Sequence, residues 1–127
     1  VPGVVEHTES YAMVWQHVGD VSYTLDEPLG AATWFPANDH PSDKALYTFR
    51  LTVTEPYVAV ANGVLVDTQA RGTDRTFTWE MRQPLASYLA GVSVDEFEVV
   101  ESVAPNGVPI RDFFAVESAE RARTAFP

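Results

Sequence analysis

Cysteine is missing from this chain of 127 residues, which rules out disulfides and thiolate metal ligands and suits a reducing compartment. Cationic side chains are scarce as well: 8 Lys and Arg stand against 18 Asp and Glu, for a formal charge of −10. Such a surface disfavours phosphate backbones and anionic lipids, because binding them adds self-repulsion instead of releasing counterions. Neither nucleic acid nor a membrane is therefore expected as a partner. Long apolar runs are lacking too. No stretch approaches the ~20 residues that span a bilayer, and the opening VPGVVEHTES has neither a basic leader nor an apolar h-region, so the expected compartment is the cytoplasm.

Chemistry-bearing motifs are equally sparse. There is no G-x-S-x-G elbow for a nucleophilic serine and no glycine-rich strand-to-helix turn to cradle a phosphate. His7, His17 and His40 include no i, i+4 pair, so no two imidazoles share a helical face as a His-Glu-x-x-His site requires. Asp39, His40 and Asp43 lie close enough in sequence to suggest a hard cation. Turn chemistry explains them better: both aspartates are expected to accept backbone N–H bonds around Pro41, with Lys44 offsetting their charge. The adjacent pairs Asp26-Glu27 and Asp95-Glu96 would point to opposite sides of an extended chain and cannot form a close acid/base pair. No catalytic or metal-ligating residue is expected within the chain.

What the sequence does have is pattern. With 46% hydrophobic and 12% aromatic residues, a chain of this length can bury a single core. In ALYTFRLTVT, residues 45–54, Ala45, Tyr47, Phe49, Leu51 and Val53 fall on one face and Thr48, Arg50, Thr52 and Thr54 on the other. AMVWQHV and VSYTL flank the turn residues Gly19-Asp20, and YVAVANGVLV places Asn62-Gly63 between two β-branched runs, which predicts a hairpin with a type I′ turn. RTFTWEM, residues 75–81, alternates again; VSVDEFEVV and VPIRDFF predict two further strands around Pro105-Asn106-Gly107. Short strands with frequent turns predict an all-β fold, an antiparallel sandwich or saddle-like layer. Only the tail departs from this. ESAERARTAF, residues 117–126, predicts a short C-terminal helix, with Ser118 placed to cap it. Trp34, Phe35 and Trp79 suit a buried core, although a row of such rings could also serve an independent β-sandwich module that binds carbohydrate or protein.

The run EP-x-GA-x-x-WFP-x-NDHP-x-DKA, followed by YTFRLTV, PYVAVANG, W-x-x-x-x-P-x-x-x-YLAGV and G-x-PIR, resembles the N-terminal β domain of the aminopeptidase N family of zinc metallopeptidases. These motifs extend from about residue 13 to 114. The resemblance implies a saddle-shaped β domain that precedes a thermolysin-like catalytic domain, with zinc as the parent's cofactor and none in this chain. It implies a fragment: 1–114 as the second part of the β domain, 115–127 as the connection into the first catalytic helix, and the G-x-M-E-N and His-Glu-x-x-His motifs lying elsewhere in the parent. The implied partners are that catalytic domain and a peptide N-terminus, and an uncovered sheet edge would favour self-association. One role carries over. The family places an acidic or amide side chain twelve positions before the signature aspartate, Asp39 here, beside the substrate's free α-amine. That position is Glu27, and a carboxylate can accept a charge-assisted bond from an ammonium. Trp34, Phe35, Pro36, Asp39, Pro41 and Lys44 match the architectural part of the motif. Ala37 stands where the family often has Cys, and Ala31-Ala32 where it often has Ala-Arg, so the loop's internal bonding is expected to differ.

Overall fold

The computed structural model describes residues 15–125. They form strands β1 (Trp15–Val18), β2 (Val21–Thr24), β3 (Lys44–Thr54), β4 (Val58–Ala61), β5 (Val64–Arg71), β6 (Asp74–Ala86), β7 (Val92–Asp95), β8 (Phe97–Val103) and β9 (Pro109–Ala115), then helix α1 (Ala119–Ala125). The strands make three antiparallel sheets in the orders β1-β2-β7-β4, β3-β6-β5 and β8-β9. The fold is all-β with one short C-terminal helix, as the patterning predicts.

The core lies where the first two sheets meet. Along β3 the odd positions turn inward, with Phe49 buried and Tyr47, Leu51 and Val53 half-buried, while Thr48, Arg50, Thr52 and Thr54 are exposed. The alternation fails only at Ala45, which is exposed because the β3/β6 register shifts between Ala45 and Tyr47. Such a bulge puts two residues opposite one and re-aims the side chains before it. Phe77 and Trp79 of β6 complete this face and pack against Ala59 of β4 and Val92 of β7. The Trp79 indole donates to the Ala59 carbonyl at 3.0 Å, so the largest core ring also links the two sheets.

The hairpin around Gly19-Asp20 forms, with Gly19 at φ +62°; the residues of AMVWQHV before Trp15 lie outside the described residues. The β8-β9 hairpin also forms, closed by Gly107 N–H donating to Ala104 O and Ala104 N–H to Val108 O, both at 2.8 Å. Three expectations are corrected. Residues 58–67 are not a hairpin: β4 pairs with β7, whereas β5 pairs with β6, and Asn62-Gly63 is the corner where the chain passes between sheets. Among the described residues Gly63 has positive φ, at +99°, but Asn62 does not, so the turn is not type I′. Instead the Asn62 amide oxygen accepts the N–H of Gly91, which ties the corner to the segment before β7. VSVDEFEVV is likewise two strands. Asp95 Oδ1 accepts the Glu96 N–H at 2.7 Å at the break, where the chain leaves the sheet of β7 and goes on as β8 to pair with β9. Finally, Ser118 does not act as the expected cap; its hydroxyl donates back to the Ala115 carbonyl at 3.2 Å.

Candidate functional site

The loop between β2 and β3 grows out of an unusual strand. In β2 the inward positions are polar: Ser22 and Thr24 are buried, and Asp26, two residues on, continues the same side. Each finds a partner. Ser22 Oγ bonds His17 Nδ1 at 2.7 Å, Thr24 Oγ1 accepts the Val92 N–H at 3.0 Å, and Asp26 Oδ2 accepts the Trp34 indole N–H at 2.8 Å. Asp26 Oδ1 is buried without a hydrogen-bond partner. Glu27 comes next on the chain and points the other way. It is exposed, and among the described residues it makes no hydrogen bond or ion pair, so its carboxylate is open to an incoming cation.

Behind Glu27 the chain makes a cis peptide to Pro28 and then a 3-10 turn over Ala31–Thr33. The Gly30 carbonyl accepts from both the Thr33 amide at 3.0 Å and the Thr33 hydroxyl at 2.6 Å. Trp34 and Phe35 follow as half-buried rings in edge contact, 4.7 Å between centroids. Trp34 also meets Trp15 of β1 at 5.9 Å, and Phe35 meets Tyr47 of β3 at 6.0 Å. Edge-to-face pairs of this kind add to the area they bury. The rings therefore brace the loop between two sheets.

The signature residues make specific contacts, although not the expected ones. Asp39 takes the left-handed conformation at φ +50°, which aspartate tolerates better than most side chains, and its Oδ1 accepts the Ser87 hydroxyl at 3.0 Å. Asp43 accepts from the Asn38 side-chain amide at 2.5 Å. Among the described residues neither aspartate takes the backbone N–H expected for it. His40 does so instead, its Nδ1 accepting the Ser42 N–H at 3.2 Å. Among the described residues Lys44 makes no ion pair, so it does not offset the aspartates through contact. Pro36 and Pro41 are exposed and bracket this turn. Phe35, Pro36, Asn38, Asp43, Tyr47 and Ser87 line a recess of about 550 Å³. Burial raises the Tyr47 hydroxyl's pKa, and the charges of Asp43 and Asp39 raise it further. A second, more apolar cleft of about 660 Å³ lies between the Gly63 corner and the β8-β9 hairpin. Glu27 lines neither.

Trp79 is buried, and Trp34 and Phe35 are packed against the core, so the three rings do not make an exposed row.

The family model of the peptidase M1 N-terminal domain matches residues 10–89. The chain belongs to this family. As an M1 N-terminal domain it is 25% identical over 118 residues to Aminopeptidase M1 of Arabidopsis thaliana, covering 91% of this chain and 13% of that protein. Glutamyl aminopeptidase of Bitis rhinoceros is 30% identical over 105 residues, covering 80% and 11%. The solved M1 zinc metallopeptidase from Deinococcus radiodurans is 34% identical with a TM-score of 0.73, covering 81% of this M1 domain and 25% of that chain. The chain thus spans a quarter or less of each of these relatives. Zinc does not fit the donors present: among the described residues no three His, Asp or Glu side chains come together to hold a metal ion, and His17 and His40 are each bonded to a serine. No described helix is long and apolar enough to cross a membrane.

What sequence reasoning missed here is Asp26. Its burial raises its carboxyl's pKa above the ordinary carboxylate value, the Trp34 bond opposes that, and the charge of Asp39 adds to it. A raised folded-state pKa means that protonation favours the fold: the contribution is fully present below the unfolded value near 3.8 and is lost as pH rises through the folded one. Asp26→Asn has no such titration. Paired thermal melts are therefore expected to show wild type losing ground to the variant as pH rises from about 4. A melting-temperature difference that does not change with pH contradicts this.

Proposed function

We propose that this chain is part of the β domain of a zinc-dependent aminopeptidase, where it scaffolds a separate catalytic domain and forms one wall of the substrate cleft. Glu27 takes the free α-ammonium of the peptide. Residues 1–114 belong to the β domain, and 115–127 lead into the first catalytic helix. The observation that carries this reading is the placement of Glu27: an exposed carboxylate, without a partner among the described residues, in a loop braced at its foot by the Asp26–Trp34 bond and the Trp15–Trp34 contact. A carboxylate so held accepts a charge-assisted bond from an ammonium and has nothing equivalent to offer an acylated N-terminus. Zinc and the residues that hydrolyse the peptide bond belong to the other domain, and the zinc there would supply the activated water. Family membership and the zinc peptidases among the relatives support this division of labour.

The purified chain of 127 residues is expected to release no product from aminoacyl nitroanilides above a zinc-only control. The full-length protein is expected to do so and to lose the activity to a chelator. Turnover by the isolated chain would overturn the division of labour, and a full-length protein inert with zinc present would overturn the peptidase reading.

A further inference from the structure

We infer that Asp26 is the positioning residue for Glu27: held by the Trp34 indole, its buried carboxyl closes the loop from which Glu27 projects. This rests on reading Glu27 as the acceptor of the α-amine. The Asp26–Trp34 bond, 2.8 Å long, joins residues eight apart and shuts the loop at its foot, with Glu27 to Thr33 as the enclosed excursion. Trp34 is anchored by edge contacts of its ring with Trp15 at 5.9 Å and Phe35 at 4.7 Å between centroids. Asp26 and Glu27 are neighbours, their Cα atoms about 3.8 Å apart, so the direction held by one backbone unit limits the direction of the next. Fixing Asp26 inward therefore restricts where Glu27 can point. The observed burial agrees: Asp26 is 5% exposed and Glu27 is exposed.

Stability alone would favour a neutral side chain at this place. Burying a carboxyl with Oδ1 unpartnered is costly. The bond it makes in return constrains seven residues whose other hydrogen bonds, among the described residues, go to the Gly30 and Ala31 carbonyls and whose buried anchor is Ala31. Precision at an amine-binding carboxylate is worth such a cost, because a displacement of the order of 1 Å weakens a positioned contact severely.

The test uses the full-length enzyme with aminoacyl nitroanilides. Asp26→Ala and Trp34→Phe, which deletes the indole donor and keeps a ring, are each expected to raise KM about fivefold or more with kcat within about twofold. Asp26→Asn, which keeps an acceptor for the indole, is expected to stay within about twofold of wild type at neutral pH. Added to Glu27→Ala, Asp26→Ala is expected to have no further effect, since it acts through Glu27. In the 127-residue chain the Trp34 indole proton resonance should move in Asp26→Ala and hold its place in Asp26→Asn. If Asp26→Ala fails to fold, Trp34→Phe alone decides. Glu27→Ala raising KM while Asp26→Ala and Trp34→Phe leave it unchanged would overturn the inference and spare the reading of Glu27. Glu27→Ala without effect would overturn that reading and the inference with it.

Discussion

Gly63→Val is expected to unfold the chain or to lower its stability by at least ~3 kcal/mol. A side chain at Gly63 meets two obstacles. Its φ of +99° suits glycine, and a Cβ built there would lie 2.1 Å from the Glu80 carbonyl oxygen and 2.6 Å from the Met81 nitrogen. Both atoms are backbone of β6, so no rotamer change can make room. The corner would have to lift from β6 and draw Val60, Ala61 and Leu65 away from Trp79, at a cost comparable to much of the ~5–15 kcal/mol that holds a domain together. Gly72→Ala is the control. Gly72 also has a positive φ, at +64°, but open space around it, with nothing within 4 Å of the built Cβ. Its substitution is expected to cost only the conformational term, about 1 kcal/mol. Urea midpoints for the two variants compare them directly, and equal midpoints would contradict the close approach at the corner.

If the full-length protein is the aminopeptidase proposed, Glu27→Ala is expected to reduce its kcat/KM for aminoacyl nitroanilides about 10- to 100-fold. The carboxylate has no partner to compensate within the described residues, so the whole of the charge-assisted bond to the ammonium is lost on truncation. Glu27→Gln keeps an acceptor without its charge and is expected to fall between the two. Folding should be untouched in both variants, because the side chain is exposed and unbonded. Near-wild-type kcat/KM in Glu27→Ala would contradict the assignment.

Strands whose two faces differ in polarity were legible. The 45–54 alternation places Phe49 inside, and the glycines at 19 and 107 close hairpins where expected. The sheet switch at Asn62-Gly63 was not legible, because the same dipeptide serves both a tight hairpin and a corner, and the choice depends on β7 and β6 competing for the two arms. β2 defeats hydrophobic alternation altogether. Its period of two is intact, but Ser22, Thr24 and Asp26 point inward while Tyr23 and Leu25 do not, so polarity is inverted. The strand tolerates this because partners 5, 68 and 8 residues away satisfy these groups, and such partners are invisible before folding. A run of polar side chains at period two leading straight into the β2-β3 loop was the available signal. The signature aspartates were expected to take backbone N–H groups in local turns, yet their partners proved to be the Ser87 hydroxyl and the Asn38 amide. The Ser87 contact spans 48 residues, which local turn rules cannot supply.

The most direct measurement of the central claim is calorimetric binding of an L-amino acid, and of its des-amino analogue, to the full-length protein and to its Glu27→Ala variant. The account predicts that the substitution weakens the amino acid about 10-fold or more and leaves the des-amino analogue unchanged, because Glu27 touches only the ammonium. Equal losses for both ligands, or none for either, would contradict it.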